Sequence, residues 1–182
     1  MRPEKFKPFF EKLSKEITLS LIAKDTLPRG KSLRVPDNLP VFEALDLLEK
    51  CDSLITESGE VFTKEDSMKK PVKTLFYALI IEIEYRLYKV LKSRVDSIDM
   101  LREAEFNELI RLFLADSELF NLQKVYSKES EMKDDLKAIS SFRNVIMHSP
   151  RKIDLETSYN IVIKRKNQAL KLMKALDDLY FK

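Results

Sequence analysis

The sequence predicts a mainly α-helical protein, in which a four-helix, up-and-down bundle follows a small βαββ unit. Two observations predict this division. Both glycines and six of the seven prolines lie at or before Pro71, so the residues that form turns are concentrated in the first part of the chain. After Pro71, apolar residues recur at intervals of three and four, which is typical of helices that bury one face. The chain therefore divides into residues 1–24, 25–70 and 71–182.

The first part of the chain predicts one helix and then the βαββ unit. Apolar residues at helical spacing place a helix within residues 1–24: Phe6, Phe10, Leu13, Ile17 and Leu21. An extended segment at 32–35 precedes a short helix at about 40–50. Residues 54–56 and 61–63, separated by a turn that contains a glycine, are typical of a β-hairpin.

The second part of the chain predicts four helices. Their apolar stripes cover residues 76–91 and 106–113, then about 131–148, and finally about 155–180. Four helices of this kind suffice for an up-and-down bundle.

Two basic residues interrupt the predicted apolar faces. At about 100° per residue, Arg143 falls within the stripe of the third helix, with Asn144 and His148 toward its edge. Burying an unpaired guanidinium costs several kcal/mol, so we expect a carboxylate partner, and Glu84 can provide it if the two helices pack together. Lys166 lies centrally in the last stripe, so it either extends its ammonium group to solvent or points into the same polar pocket.

Arg143 and His148, the only histidine in the chain, are the side chains best suited to catalysis. Imidazole has an unperturbed pKa of about 6.5, and a guanidinium binds phosphate through a fork of N–H donors. Together they suggest phosphodiester chemistry. A structural role is the alternative, because five residues on a helix separate two side chains by about 140°. In that role Arg143 pairs with Glu84, and His148 caps the last carbonyls of its helix.

The charge distribution indicates a polyanionic partner near the same residues. The net charge is only +3, but residues 96–135 carry eleven acidic and five basic side chains. Residues 143–174 carry eight basic and two acidic ones. Such a basic run either contacts a polyanion or simply keeps helix faces solvated.

Composition excludes several other classes. A single cysteine, Cys51, forms no internal disulfide, and no apolar run is long enough to span a membrane, so we expect a cytoplasmic protein without a signal peptide or membrane association. One histidine and one cysteine do not build a typical structural zinc site, and two glycines do not build a phosphate-binding loop. We therefore expect no cofactor and no metal.

Arg143-Asn144-x-x-x-His148, at the end of the penultimate predicted helix, resembles the signature of the HEPN superfamily over about residues 71–182. The resemblance implies a metal-independent endoribonuclease that works as a homodimer, leaves a cyclic phosphate, and acts as a toxin or stress-response enzyme with an antitoxin or regulatory protein as partner. His148 would transfer protons, Arg143 would hold the phosphate, and Asn144 would orient His148 or the RNA. Further basic residues would contact the RNA backbone: Arg151, Lys152, Lys164, Arg165 and Lys166. Many HEPN-like proteins bind nucleotides or partners without cleavage, so a non-catalytic regulatory or dimerisation module is the alternative.

Residues 33–45, 58–60 and 63–66 resemble one cystathionine-β-synthase (CBS) motif, a sensor unit for adenosyl ligands. Thr63 and Asp66 match the Thr/Ser-x-x-Asp pattern that holds a ribose in that family. The sequence departs from the family because the segment between Gly59 and Thr63 is short and only one motif is present, so we call the unit degenerate. The alternative is that Thr63 and Asp66 form a helix cap. The order of the two modules resembles that of prokaryotic proteins that join them.

Overall fold

Helices make up most of the protein, and one small sheet accompanies them. The structure is a computed structural model that describes residues 9–28, 30–94, 101, 104–148 and 159–180, without the side chains of His148 and Tyr180. The helices are α1 (Phe10–Glu16), α2 (Val41–Leu47), α3 (Lys70–Lys92), α4 (Phe106–Ala115), α5 (Ser117–Leu122), α6 (Glu129–His148) and α7 (Tyr159–Tyr180). The strands are β1 (Ser32–Val35), β2 (Ser53–Thr56) and β3 (Val61–Thr63).

The chain forms two compact units. As far as they are described, residues 9–78 and 150–164 form one, and residues 79–149 and 165–182 form the other. Residues 9–24 therefore belong to the unit that contains the strands, although the sequence division separates them. The boundary between the units lies within α3, later than Pro71.

The three strands form one sheet in the order β1-β2-β3. Strand β1 pairs with β2 in parallel, and β2 pairs with β3 antiparallel, so that Leu33, Leu54 and Phe62 are neighbours across the strands. The predicted order of strand, helix and hairpin is confirmed. Gly59, at the hairpin turn, has φ +91°, a left-handed conformation that glycine adopts without strain.

The first helix ends earlier than predicted, and the start of its predicted apolar stripe, at Phe6, lies outside the described residues. Its spacing indicated a helix that reaches Leu21, but α1 ends at Glu16 and Ile17 is extended. Tertiary contacts compete with the helix here, because the backbone N–H of Val41 donates to the carbonyl of Ile17 at 3.1 Å. The N–H of Leu19 in turn donates to the carbonyl of Leu39 at 3.0 Å.

The core of the unit formed by residues 9–78 and 150–164 contains a row of aromatic rings. The ring centres of Phe10 and Phe42 lie 5.8 Å apart, and those of Phe42 and Phe76 lie 5.1 Å apart. Tyr159 joins this unit through its hydroxyl, which donates to the carbonyl of Leu45 at 2.5 Å. Cys51 is also buried, and burial raises the pKa of its thiol.

The helices of the other unit agree with the predicted pattern except at one point. Helices α4 and α6 cover the predicted residues, and α7 begins where the described chain resumes at Tyr159. Helix α5 was not predicted. It is short and begins at an N-cap, where the Asp116 carboxylate accepts from the N–H of Glu118 at 3.0 Å.

Candidate functional site

Helix α6 carries two of the three predicted catalytic side chains in its described part. It buries an apolar row made of Met132, Leu136, Ile139 and Phe142. Arg143 directly follows this row and keeps 32% of its side chain exposed, and Asn144 is exposed. The helix ends at His148, whose side chain lies outside the described part of the chain, as do Arg151 and Lys152.

Arg143 has the carboxylate partner that the sequence predicts. Its Nη2 lies 3.6 Å from Oε2 of Glu84 on α3. On another side the guanidinium carbon lies 5.7 Å from the ring centre of Phe106 at the start of α4, a cation–π distance. The Nε of Arg143 is buried and has no hydrogen-bond partner among the described residues. Residues of three helices thus position the guanidinium of Arg143, and part of the Arg143 side chain stays exposed to solvent.

Glu84 is a partly desolvated carboxylate. Its side chain is 16% exposed, and burial raises its pKa above the usual 4.5. The positive charge of Arg143 opposes this rise in pKa, and the negative charge of Glu105 adds to it. Since 3.6 Å exceeds ordinary hydrogen-bond distance, the attraction between Glu84 and Arg143 is mainly coulombic.

The predicted basic residues of α7 differ in their surroundings. Lys166 is only 2% exposed, so it does not extend to solvent. Lys164 is exposed. Arg165 is half-buried, and its Nη1 donates to Oε1 of Gln168 at 2.7 Å. Of the predicted RNA-contacting residues that the structure describes, Lys164 is therefore the exposed one.

A buried polar network that was not predicted from the sequence joins α6 to α7. The hydroxyl of Tyr126 donates to Oδ2 of Asp135 at 2.7 Å, and Nε2 of Gln168 donates to Oδ1 of Asp135 at 2.7 Å. Burial, together with Asp135, raises the pKa of Tyr126. One signal was present, because helical spacing puts Asp135 on the apolar face of α6 with Met132 and Ile139.

Thr63 and Asp66 cap the start of a short 3-10 helix, Lys64–Met68, and this helix cap was the alternative to a nucleotide site. Oδ2 of Asp66 accepts from the backbone N–H of Thr63 at 2.8 Å and from its hydroxyl at 3.0 Å, in a capping box. Oδ1 of Asp66 lies 2.6 Å from Nζ of Lys69. Both carboxylate oxygens already have partners within the protein.

These residues also line a cleft of about 860 Å³. Its other polar walls come from Lys24, Thr26, Asp52, Lys64 and Glu65. Lys24 and Lys64 give the cleft positively charged donors, and three carboxylates in the same lining, those of Asp52, Glu65 and Asp66, offset their charge. The hydroxyl of Thr63 already donates to Asp66.

Asp66→Ala is expected to lower the free energy of unfolding by about 1–2 kcal/mol, because the cap is lost and Lys69 loses its carboxylate. Urea unfolding measures this change. Glu57→Ala, at an exposed position in the hairpin turn, is the control and is expected to have little effect. Equal stability of the Asp66 variant and wild type would contradict the capping role.

No family model, curated protein or solved structure gives a significant match to this chain. The HEPN and CBS resemblances therefore depend on the motifs themselves and stay predictions.

The described residues contain neither a cluster of metal-binding side chains nor a helix suited to cross a membrane. No three or more of their histidine, cysteine, aspartate and glutamate side chains are grouped so that they could hold a metal ion. None of the helices in the same residues combines the length and the apolar character that crossing a membrane requires.

Proposed function

We propose that this protein is a metal-independent endoribonuclease of the HEPN type that acts as a homodimer. The supporting observation is the setting of Arg143 near the end of α6. Glu84 and Phe106 hold its guanidinium, while about a third of the side chain is exposed beside the exposed Asn144. The exposed part of the Arg143 side chain is accessible to a ligand from solvent.

The proposed reaction is attack of a ribose 2′-hydroxyl on the adjacent phosphorus. N–H donors of Arg143 stabilise the charge that develops on the phosphate oxygens, and His148 transfers a proton. The products are a 2′,3′-cyclic phosphate and a free 5′-hydroxyl. Because Arg143 and His148 are separated by about 140° on one helix, two protomers are needed to bring a histidine and an arginine to the same phosphate.

The direct experiment is incubation of purified protein with mixed RNAs in EDTA. We expect RNA fragments that end in 2′,3′-cyclic phosphate, no cleavage of DNA, and a loss of at least about 100-fold in rate for His148→Ala. Asn160→Ala, at an exposed position on α7, is the control for loss of an exposed polar side chain. Intact RNA with wild-type protein, or unchanged cleavage by the His148 variant, would refute the proposal.

The second candidate is a non-catalytic module that binds a nucleotide and regulates a partner or dimerises. The cleft beside Thr63 and Asp66 supports this candidate, because its volume of about 860 Å³ is in the range of small-molecule sites and Lys24 and Lys64 lie in its lining. Thermal unfolding in the presence of adenine nucleotides separates the candidates, since a ligand at 100 times its Kd adds about 2.7 kcal/mol of stability. A shift in Tm that is lost in Lys64→Ala, without any cleavage of RNA, would favour the second candidate.

A further inference from the structure

The outer face of α6 carries a stripe of basic and uncharged polar side chains. Lys133, Lys137 and Asn144 are all exposed. At about 100° per residue, these three positions and position 148 lie within about 60° of one another around the helix axis. Since a helix rises about 1.5 Å per residue, Lys133 and Asn144 are separated by about 16 Å along that axis. Two lysines therefore lie in line with the predicted catalytic residues at the end of the helix.

Acidic side chains are confined to the first turns of α6. Its carboxylates all lie before residue 136, at Glu129, Glu131, Asp134 and Asp135. Glu131 and Asp135 are bound by groups outside the helix. Neither lysine of the stripe forms an ion pair with a carboxylate of the described residues. Helical spacing puts Glu129 and Asp134 near the lysine end of the stripe, so its other end receives no negative charge from α6.

The stripe faces solvent because α6 packs against its neighbours through other faces. The hydroxyl of Ser140 donates to Oδ1 of Asn107 on α4, and Asp135 accepts from Nε2 of Gln168 on α7 at 2.7 Å. The apolar row of α6 is buried on the side away from the lysines. The two lysines are thus not needed to hold α6 in place, and both are accessible to a ligand from solvent.

We propose that this stripe binds the sugar-phosphate backbone of the RNA substrate, so that one strand runs along α6 toward Arg143. The inference rests on the proposed ribonuclease function and extends it from the reacting phosphate to its neighbours. Charge complementarity favours RNA as the occupant, because exposed ammonium groups along one line suit the regularly spaced phosphates of a single strand. The contacts predicted from the sequence, such as Lys164, follow His148 in the chain, whereas the lysines of the stripe precede it.

The experiment compares wild type with the double variant Lys133→Ala and Lys137→Ala. Fluorescence anisotropy measures binding of a 2′-O-methyl oligonucleotide, which lacks the attacking hydroxyl and stays intact. Each phosphate contact contributes about 0.7 to the slope of log K against log salt for a single strand, so the slope should become less steep by about 1.4. At 0.1 M salt this change corresponds to a loss of about 10- to 30-fold in affinity.

Two further readouts distinguish backbone binding from other roles of the lysines. The loss of affinity should be the same for oligonucleotides of different sequence, because phosphate contacts do not read bases. The kcat at saturating RNA should change less than about twofold, because the lysines bind the strand outside the reacting phosphate. A large fall in kcat at saturating RNA would contradict this placement.

The matched control is the double variant Lys15→Ala and Lys50→Ala. Both lysines are exposed and lie in the unit formed by residues 9–78 and 150–164, so the control loses the same two charges at other positions. We expect its affinity and salt slope to stay close to those of wild type. An equal decrease in both double variants would show that net charge, rather than the stripe on α6, attracts RNA, and would overturn the proposal.

The outcomes separate this proposal from the ribonuclease function. If wild type cleaves RNA and the double variant at Lys133 and Lys137 binds with wild-type affinity and slope, the stripe does not bind the backbone, and the ribonuclease proposal stands. If the expected loss of binding occurs but wild type never cleaves, the stripe is an RNA-binding surface and the ribonuclease function is refuted. If wild type binds no RNA, both are refuted. If the alanine variant has a lowered Tm, the glutamine variant Lys133→Gln and Lys137→Gln replaces it, with the same expected results.

Discussion

Arg86→Ala is expected to lower the free energy of unfolding by about 3–5 kcal/mol, because it leaves a buried carboxylate without its positive partner. Arg86 donates from Nη1 to Oε1 of Glu82 at 2.6 Å and from Nε to Oδ1 of Asp177 at 2.7 Å. Glu82 is only 2% exposed, and its Oε2 is buried without a hydrogen-bond partner among the described residues. Glu82 therefore depends on Arg86. Urea unfolding at neutral pH measures the loss.

Two variants control for this result. Arg111→Ala breaks the exposed pair with Glu108 and is expected to change stability little, because solvent screens exposed ion pairs. The double change Glu82→Met and Arg86→Met removes both buried charges and is expected to recover most of the lost stability. A double variant as unstable as Arg86→Ala alone would show that packing of the Arg86 side chain, rather than the unpaired charge, explains the loss.

Arg143→Ala is expected to lower kcat/KM for RNA by about 10²–10³, the effect of removing one strong donor to a developing negative charge. The same change leaves Glu84 unpaired and lowers the free energy of unfolding by about 1–3 kcal/mol at neutral pH. Arg143→Lys separates the two effects. It keeps a positive charge for Glu84 but lacks the fork that binds phosphate, so we expect near-normal stability and low activity.

The loss of stability in Arg143→Ala depends on pH in a defined direction. Burial raises the pKa of Glu84 in the folded protein above its usual 4.5, so folding favours the protonated carboxyl. Without Arg143 this preference increases. The destabilisation is therefore largest at pH values above the folded pKa of Glu84, where its carboxylate is charged, and it diminishes as pH falls through that pKa. Unfolding at pH 7 and at pH 4 measures this difference, and an equal loss at both values would contradict the account.

The fold was predictable where local pattern and tertiary contacts agree. Strand β1, the hairpin and α4 lie within one or two residues of their predicted bounds, because a turn glycine and helical spacing each act within a short segment. Helix α1 ends early because the backbone of Ile17 pairs with residues after β1, which no local pattern reveals. Helix α5 is too short for its apolar spacing to be distinguished from a loop.

Within the candidate site, the ion pair between Arg143 and Glu84 was predictable from the sequence. A charged residue on an apolar stripe requires a partner, and this requirement leads from Arg143 to Glu84 by helical spacing alone. The same requirement at Asp135 indicates a buried network, but its partners Tyr126 and Gln168 lie on other segments and follow no spacing rule. The contact of Arg143 with Phe106 likewise arises only from packing.

Reaction of the buried Cys51 thiol with a reagent in solution reports on local opening of the protein. Since the chain has one cysteine, any thiol reagent reports on a single position, next to α2 and β2. Burial both hinders the reagent and disfavours the reactive thiolate, so labelling follows the rate at which this segment becomes accessible. The rate of thiol labelling at Cys51 therefore reports on opening of the segment between α2 and β2.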